Sequence, residues 1–452
     1  MVTETRTELG ALWKLALPLA LAQAGGACMG MVDTAVVGRL SAAAQGGAGL
    51  ANSLVFTITF MGMGVMMGLD PLISQAIGAG RHGRARALFW AGLWLAGMTS
   101  VGVMALIACV PSILVPFGVK QSIAAGAAEF IWWRLPGVPA TLFFIGSRAY
   151  LQAIGRAQVM LWATVVANIA NLCFDLVFVF GAGPLPAMGI AGAALSTTLC
   201  SWLQFGILMY AVRAPAGDAL EQVSRRFDWV SVKQAGSIGL PIGLHLIAEA
   251  AIFSLVGLFA GTLGEASAAA HQVALSWASM SFCVAVGIGS AGSVRVGLAV
   301  GRHDTPGARR SGLLAFGSGV LFMGCSALLF IAIPGPLARA MSSQPEVVAV
   351  TASLLWVVAI FQISDGMQAI GAGVLRGAGD TRFVFWANIV GHWLIGLPVA
   401  YWFGIRLSVG VVGLWWGLCA GLTAVGVTLL LRFAALSGKE IAPLSQESAK
   451  TR

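Results

Sequence analysis

Long apolar segments recur along the whole chain, and short polar connections separate them. A helix needs about 20 apolar residues to cross roughly 30 Å of hydrocarbon. The segments are continuously apolar and lack the alternating pattern of membrane β-strands, so we predict helices. The predicted spans cover residues 11–37, 48–78, 87–110, 127–152, 158–182, 188–212, 234–262, 268–299, 310–335, 348–373, 380–404 and 409–436. This pattern indicates an all-α membrane protein with twelve transmembrane helices.

The composition supports this fold class. Of 452 residues, 58% are hydrophobic and 10% are charged, whereas about 25% of the residues of a soluble domain are charged. The first apolar segment follows the polar start MVTETRTELG and lacks a small-residue cleavage site. We therefore interpret it as a retained span rather than a signal peptide, and we expect a multi-pass inner-membrane protein.

The positions of the basic residues predict the orientation. Of the 26 lysines and arginines, all but five fall at the N-terminus, in the even-to-odd connections or at the C-terminal end. The five on the other side are Arg39, Lys120, Arg134, Arg339 and Arg406. The positive-inside rule then makes both termini cytoplasmic. The net charge of +9 is thus a topology signal and a contact with anionic lipid headgroups, and no nucleic-acid partner is expected.

The second half of the chain repeats the pattern of the first. Leu17, Pro18 and Gly38 match Leu240, Pro241 and Gly261 at a nearly constant offset, and further matched stretches are SAAAQ (41–45) with SAAAH (267–271) and GRH (80–82) with GRH (301–303). Repetition of supersecondary units at a fixed offset indicates duplication. Each unit holds six spans, and an even number leaves two such units parallel, with a cavity expected where they meet.

The repeat predicts the domain organisation: two parallel six-helix lobes with a central cavity. Residues 1–213 form an N-lobe with helices 1–6, and residues 214–233 form a cytoplasmic linker. Residues 234–436 form a C-lobe with helices 7–12, and residues 437–452 form a cytoplasmic tail. In secondary transporters the interface between repeats is the usual place for substrate.

Four acidic residues fall deep inside apolar segments: Asp33, Asp175, Glu249 and Asp365. An acidic residue at the centre of a membrane helix costs about 2.5–3.5 kcal/mol, so such groups usually face a water-filled cavity or a partner. Capping or bridging between helices is the structural alternative. Because almost no basic residue lies at the same depth, ion pairing explains them poorly, and the sequence favours binding of cations or protons.

Polar neighbours extend these candidate sites. Asn171 and Asp175 are four residues apart and share one helix face, so an amide oxygen and a carboxylate converge. Oxygen ligands of this kind suit a hard cation or a proton. His245 shares a face with Glu249 in the same way, either as part of a site or as a hydrogen-bonded core imidazole. Gln362, Asp365 and Gln368 follow one another at helical spacing.

Other classes of function find less support in the sequence. It contains no HExxH or GxSxG motif and no closely placed Cys/His pair, so neither an enzyme nor a cofactor is expected. A lipid-linked oligosaccharide flippase is the alternative transporter, but its anionic phosphate would favour arginines in the cavity. A passive channel would not need carboxylates specific to each lobe.

Several short stretches carry a family likeness when they are taken in order. They are MVDTAVVGRL (31–40), SQAIGAG (74–80), FDLVFVFG (174–181), GIAGAALST (189–197), AAAHQVALSW (268–277), GSVRVGLAVGR (292–302) and LRGAGDTRF (375–383). With these stretches the chain resembles the multidrug and toxic compound extrusion (MATE) family, close to its bacterial norfloxacin-exporter type. The likeness covers nearly the whole chain. Asp70 departs from it, since a small or apolar residue is more usual at that position, and has no assigned role.

The resemblance implies roles for single residues. Pro18 matches a bending proline of the first helix. Asp33, Asn171 and Asp175 resemble the acids and amide of an N-lobe cation site. Glu249 and Asp365 resemble the acids of a C-lobe cation site. Either set could hold Na⁺ or a proton, which leaves open the lobe that couples transport.

The resemblance also implies a function. It indicates a secondary active multidrug efflux antiporter that exports amphiphilic, often cationic drugs or metabolites in exchange for H⁺ or Na⁺. Alternating access would rock one lobe against the other. No cofactor is implied apart from the coupling ion. The expected partners are small-molecule substrates and membrane lipids, and we expect a monomer.

Overall fold

The computed structural model describes residues 2–181, 185–213 and 225–444. Within these ranges the chain is nearly all helical and contains no strand, which confirms the predicted all-α fold class. Eleven of the described helices are long and apolar enough to cross a membrane. The predicted span at residues 127–152 is not among them, because it is formed by two shorter helices.

The N-terminal half contains eight helices within the described residues. They are α1 (Val2–Val37), α2 (Ala42–Met67), α3 (Leu69–Gly78), α4 (His82–Leu114), α5 (Gln121–Arg134), α6 (Gly137–Ala153), α7 (Gln158–Phe180) and α8 (Ile190–Arg213). Glycines in left-handed or similar conformations follow several of these helices; Gly181, for example, has φ of 80° directly after α7. Such a backbone angle favours a residue without a side chain, which fixes where the helix ends.

The C-terminal half also contains eight α-helices within the described residues. They are α9 (Trp229–Thr262), α10 (Glu265–Gly301), α11 (Thr305–Ala332), α12 (Pro334–Met341), α13 (Pro345–Ala378), α14 (Thr381–Asn388), α15 (Leu397–Tyr401) and α16 (Val411–Leu436). Gly379, in a left-handed conformation, ends α13 and donates its backbone N–H to carbonyls of the last turn. The segment Thr381–Arg406 is long and apolar enough to cross a membrane as one span.

The fourth predicted span is divided at Leu135 and Pro136 into α5 and α6. Proline has no backbone N–H and is best tolerated in the first turn of a helix, and Pro136 directly precedes α6. The two helices have 14 and 17 residues, or about 21 and 26 Å at 1.5 Å per residue. Each is therefore shorter than ~30 Å of hydrocarbon, and only together do they form the predicted span.

The eleventh predicted span, at residues 380–404, departs from regular α-helix. Ile389–Gly396 and Trp402–Arg406 are π-helical and flank the short helix α15. Pro398, inside this region, cannot donate a backbone hydrogen bond, and π-helical turns accommodate such interruptions. The hydrophobic pattern gave no indication of this irregularity.

Glycines of α16 allow the irregular segment to pack closely. A Cβ on Gly417 would lie 2.3 Å from the backbone of Ala400, and a Cβ on Gly413 would lie 2.7 Å from that of Gly404. Small residues at four-residue spacing are typical of close helix packing in membranes. These positions explain why the sequence places glycines on one face of α16.

The described chain forms two compact units. One comprises the chain up to Ala20, Gly78–Gly80 and the chain from Leu244 onward; the other comprises Leu21–Ile77 and Arg81–Gly243. The predicted lobes assign every helix whole to one lobe. The contacts differ for two helices: the first half of α1 groups with the C-terminal helices, and the first part of α9 groups with the N-terminal helices.

Polar contacts hold the first half of α1 in its unit. The Glu8 carboxylate accepts hydrogen bonds from Arg295 Nε at 2.8 Å and from the Ser311 hydroxyl at 2.6 Å. Glu4 forms an ion pair with Arg310 at 3.2 Å. Charge-assisted hydrogen bonds of this kind are stronger than neutral ones, so these acids help to fix the start of the chain.

Close backbone packing holds the start of α9 in the other unit. A Cβ on Gly239 would lie 2.0 Å from the Val65 carbonyl oxygen, and a Cβ on Gly64 would lie 2.4 Å from the Gly243 Cα atom. Arg84 donates to the Ser231 hydroxyl at 2.8 Å. The predicted linker lies partly outside the described residues, at 214–224, as does the predicted tail from residue 445.

Candidate functional site

The first candidate site surrounds Asp33, in the second half of α1. Asn171 of α7 donates from Nδ2 to Asp33 Oδ1 at 2.9 Å, and Thr197 of α8 donates from Oγ1 to Asp33 Oδ2 at 2.8 Å. Asp33 is 8% exposed. Both oxygens of this buried carboxylate therefore receive a hydrogen bond, which is the usual requirement for burying a charged group.

Asp175 lies one helical turn beyond Asn171, and both residues are fully buried. Neither carboxylate oxygen of Asp175 receives a hydrogen bond of regular geometry from the described residues. The Ser196 hydroxyl and the Asp33 carboxyl are nevertheless close enough to interact with it. Two ionised carboxylates at this proximity repel each other strongly in an apolar medium. A proton or a metal cation bound between them would relieve that repulsion.

Ser196 and Thr197 complete the site, and the sequence reasoning did not single them out. Asn171 Nδ2 also contacts Ser196 Oγ at 3.1 Å, while the Ser196 hydroxyl donates to the Asn171 carbonyl at 3.1 Å. The Thr197 hydroxyl also lies 3.1 Å from the Ala193 carbonyl. The serine and threonine close the GIAGAALST stretch, so a search for hydroxyl groups beside the acids would have found them.

Two arginines lie near acids of this unit, although the sequence predicted almost no basic residue at the depth of the deep acids. Arg134, at the end of α5, lies close enough to interact electrostatically with Asp33. Arg148 of α6 is 7% exposed and interacts in the same way with Asp70. Both arginines belong to the unit that contains Asp33. Arg134 lies at the break between α5 and α6, inside the span predicted at residues 127–152.

The second candidate site lies in the other unit. Gln368 of α13 donates from Nε2 to Glu249 Oε2 of α9 and to Asn388 Oδ1 of α14, at 3.1 Å each. Asp365, 4% exposed, lies close enough to Glu249 to interact electrostatically. His392 contacts the Asn388 carbonyl through Nδ1 at 3.1 Å. The structure thus brings Glu249 and Asp365 together, with Gln368 and Asn388 as amide neighbours.

Three other residues named from the sequence occupy different surroundings. Gln362 donates to the hydroxyls of Ser281 and Ser326 and not to the acids. His245 is buried. Pro18 lies inside α1, two residues before the chain passes from one unit to the other at Ala20. Proline weakens a helix where it stands, so its position fits the predicted bending, which stays a prediction.

Each site offers oxygen ligands. The site at Asp33 has two carboxylates, one amide and two hydroxyl groups, and the site at Glu249 has two carboxylates and two amides. Across the described ranges, no group of three His, Cys, Asp or Glu side chains could hold a metal ion. Carboxylates with amide and hydroxyl oxygens suit a proton or a hard cation such as Na⁺.

The sequence matches a known family and its curated members. The sequence pattern of the MatE family matches residues 18–177 and 241–402. A probable multidrug resistance protein NorM from Burkholderia pseudomallei is 34% identical over 93% of this chain and 91% of its own length. A probable NorM from Bradyrhizobium diazoefficiens is 36% identical over 94% and 92%. These matches confirm the resemblance that the motifs indicated.

Solved structures share the fold. The Vibrio cholerae MATE transporter VcmN in its bent form superposes with a TM-score of 0.86 at 20% identity, over 97% of this chain and 99% of that one. The eukaryotic MATE transporter AtDTX14 gives a TM-score of 0.86 at 20% identity, over 96% and 98%. At this level of identity the likeness establishes the fold alone.

Proposed function

Because the chain belongs to the MatE family, we propose that it is a secondary active multidrug efflux antiporter of the inner membrane. It exports amphiphilic, often cationic compounds in exchange for H⁺ or Na⁺. Relatives at 34–36% identity carry the name multidrug resistance protein, which supports this substrate class. We expect both termini to be cytoplasmic and the protein to act as a monomer.

The observation that carries the proposal is the pairing of Asp33 with Asp175. Two adjacent carboxyl groups among apolar helices attract cations, and Asn171 and Thr197 hold one of them in place by hydrogen bonds. A bound proton or Na⁺ reduces the negative charge available to an organic cation. Binding of the coupling ion then lowers the affinity for the substrate, and binding of the substrate lowers the affinity for the ion. This competition links the two fluxes.

The acidic pair at Glu249 and Asp365 gives the other unit a comparable site. We propose that it binds a cation as well, so the lobe that couples transport has to be identified by experiment. A flippase for lipid-linked oligosaccharides is less well supported, since a carboxylate pair in each unit would repel an anionic phosphate. Arg134 near Asp33 could attract a phosphate, but it is one positive charge beside two acids.

Transport by purified protein in liposomes tests the proposal. A fluorescent amphiphilic cation is the substrate, and a Na⁺ gradient and a pH gradient are imposed in separate preparations. We expect uphill movement of the dye with at least one gradient and none without any gradient. Movement that only equalises the dye concentration under both gradients would contradict antiport.

Single substitutions then assign the coupling site. Asp175→Asn tests one unit, and Glu249→Gln and Asp365→Asn test the other. Glu129→Gln is the matched control, because Glu129 is an exposed acid of α5 outside both sites. We expect Asp175→Asn to abolish uphill export while the control retains it. If Asp175→Asn retains full export and both variants of the other unit lose it, coupling belongs to Glu249 and Asp365.

A further inference from the structure

An arginine stacked on a tryptophan lies where the chain approaches α9. The Arg225 guanidinium sits over the Trp90 ring, 4.8 Å from its centroid, and the Trp94 indole N–H donates to the Arg225 carbonyl at 3.2 Å. Arg225 is exposed. No carboxylate among the described residues pairs with it. The cation–π contact orients the guanidinium while its N–H donors stay available.

Aromatic side chains surround this arginine on the same unit. Trp94 packs edge-on against Phe227 with ring centroids 5.9 Å apart, and Phe227 lies 6.0 Å from Trp229. Trp94, Phe227 and Trp229 are 49%, 48% and 55% exposed. We call Trp90, Trp94, Phe227 and Trp229 the aromatic cluster. So much exposed aromatic surface on a membrane protein is typical of contact with lipid.

The charges around the cluster are mostly positive. Asp228 is the one acid in the described part of this region, and Arg84 lies 3.7 Å from its carboxylate. The Ser231 hydroxyl also donates to Asp228. With this acid already neutralised, Arg225 and the exposed Lys233 leave the surface cationic. A planar guanidinium that pairs with no carboxylate of the described residues can offer its donors to the oxygens of a phosphate group.

The length of α4 places the cluster near the lipid headgroups when the helix is centred on the hydrocarbon. Helix α4 has 33 residues, or about 50 Å, so a centred helix exceeds the ~30 Å of hydrocarbon by about 10 Å at each end. Trp90 lies eight residues after His82, roughly 12 Å along the helix. The guanidinium over Trp90 is therefore near the boundary between headgroups and acyl chains. Phosphate would meet Arg225 there, and acyl chains would meet Trp94 and Phe227.

We propose that Arg225 and the aromatic cluster bind the headgroup of an anionic phospholipid. The guanidinium binds the lipid phosphate, and Trp94 and Phe227 contact the upper acyl chain. This inference does not depend on what the protein transports. It goes beyond a general attraction between basic loops and anionic membranes, because it assigns one site in which a guanidinium is already oriented to bind phosphate.

Lipid-dependent thermal unfolding tests the site on the full chain in a neutral detergent. Dioleoyl phosphatidylglycerol is titrated in, and the rise of the unfolding midpoint gives an apparent Kd. Phosphatidylcholine with the same chains and inorganic phosphate are titrated in parallel. We expect stabilisation that saturates with phosphatidylglycerol and a much smaller effect of the two comparison compounds. Equal stabilisation by inorganic phosphate would show that the site binds a free anion rather than a lipid. Equal stabilisation by phosphatidylcholine would show that the site does not recognise the anionic headgroup.

Variants distinguish a built site from diffuse attraction. Arg225→Gln should raise the apparent Kd for phosphatidylglycerol about tenfold, the scale of one charge-assisted contact. Trp90→Leu should raise it about threefold by removing the aromatic support. Arg309→Gln is the matched control, because Arg309 is exposed, has the same charge and stacks on no aromatic ring in the described chain. Equal effects of Arg225→Gln and Arg309→Gln would overturn the proposal.

Discussion

Replacing Asp33 by asparagine separates the charge of the site from its hydrogen bonds. In the native protein Asn171 donates to one oxygen of Asp33 and Thr197 donates to the other. An asparagine side chain can keep its oxygen toward Asn171 and turn its amide N–H₂ toward Thr197. The Thr197 hydroxyl can then accept, because the Ala193 carbonyl, 3.1 Å away, takes its proton. Both hydrogen bonds survive in Asp33→Asn, and the negative charge is lost.

The hydrogen bonds set the expected magnitudes. Asp33→Ala removes two acceptors at about 1 kcal/mol each, so it should destabilise the protein by about 2 kcal/mol. Asp33→Asn should stay within about 1 kcal/mol of the native protein. For a unit of some 200 residues, roughly 2–4 °C of melting temperature corresponds to 1 kcal/mol. We therefore expect a fall of about 4–8 °C for the alanine variant and of less than about 4 °C for the asparagine variant.

Two assays on the same preparations give the answer. Thermal unfolding in detergent measures the stability of both variants, and gradient-driven dye transport in liposomes measures coupling. We expect Asp33→Asn to fold normally, to retain dye binding through apolar surface and to lose uphill export. A melting temperature as low as that of Asp33→Ala would refute the hydrogen-bond reasoning. Full uphill export by Asp33→Asn would refute the assignment of Asp33 to coupling.

Three further expectations follow from other parts of the chain. Alkaline phosphatase, which is active only outside the cytoplasm, should be inactive when fused to the C-terminus, and activity there would invert the topology. Gly417→Ala should destabilise by about 1–3 kcal/mol because its Cβ would meet the Ala400 backbone, whereas Gly317→Ala, with nothing within 4 Å, should not; equal melting temperatures would contradict this. The hydrogen bond from Ser231 lowers the pKa of Asp228. The ionised carboxylate therefore stabilises the folded protein above the unfolded pKa near 3.9, and this stabilisation disappears as pH falls through the folded pKa. Asp228→Asn should therefore lower the melting temperature at pH 7 and lose that effect in acid, and a constant difference would exclude the carboxylate as the cause.

The sequence predicted the helices well where membrane burial alone decides the structure. Continuous apolar segments have one stable form in hydrocarbon, because every backbone polar group must be paired within the segment. The predicted spans accordingly match the long helices. The pattern failed at Pro136 and Pro398, since hydropathy does not register a missing backbone donor. The first case divides a span into α5 and α6, and the second accompanies π-helical turns.

The candidate sites were predictable in their acids and less so in their neutral partners. Asp33, Asp175, Glu249 and Asp365 are rare charges in apolar surroundings and are conspicuous for that reason. Ser196 and Thr197 are ordinary small residues of membrane helices, and only their contacts distinguish them. The proximity of Arg134 to Asp33 was not predicted, because it joins residues of two different helices. Short-range spacing predicts contacts within one helix, while contacts between helices require the fold.

The division of α1 between two units has a consequence for how the protein is made. Glu8 lies 287 residues before Arg295, its hydrogen-bond partner. At about 5–20 residues per second, roughly 15–60 s of synthesis separate the two. During that time the first half of α1 is in the membrane without the helices on which it finally packs, and the N-terminal unit still lacks the start of α9. Neither unit can be completed by the first half of the chain alone: one waits for the start of α9, and the other waits for α10 and α11.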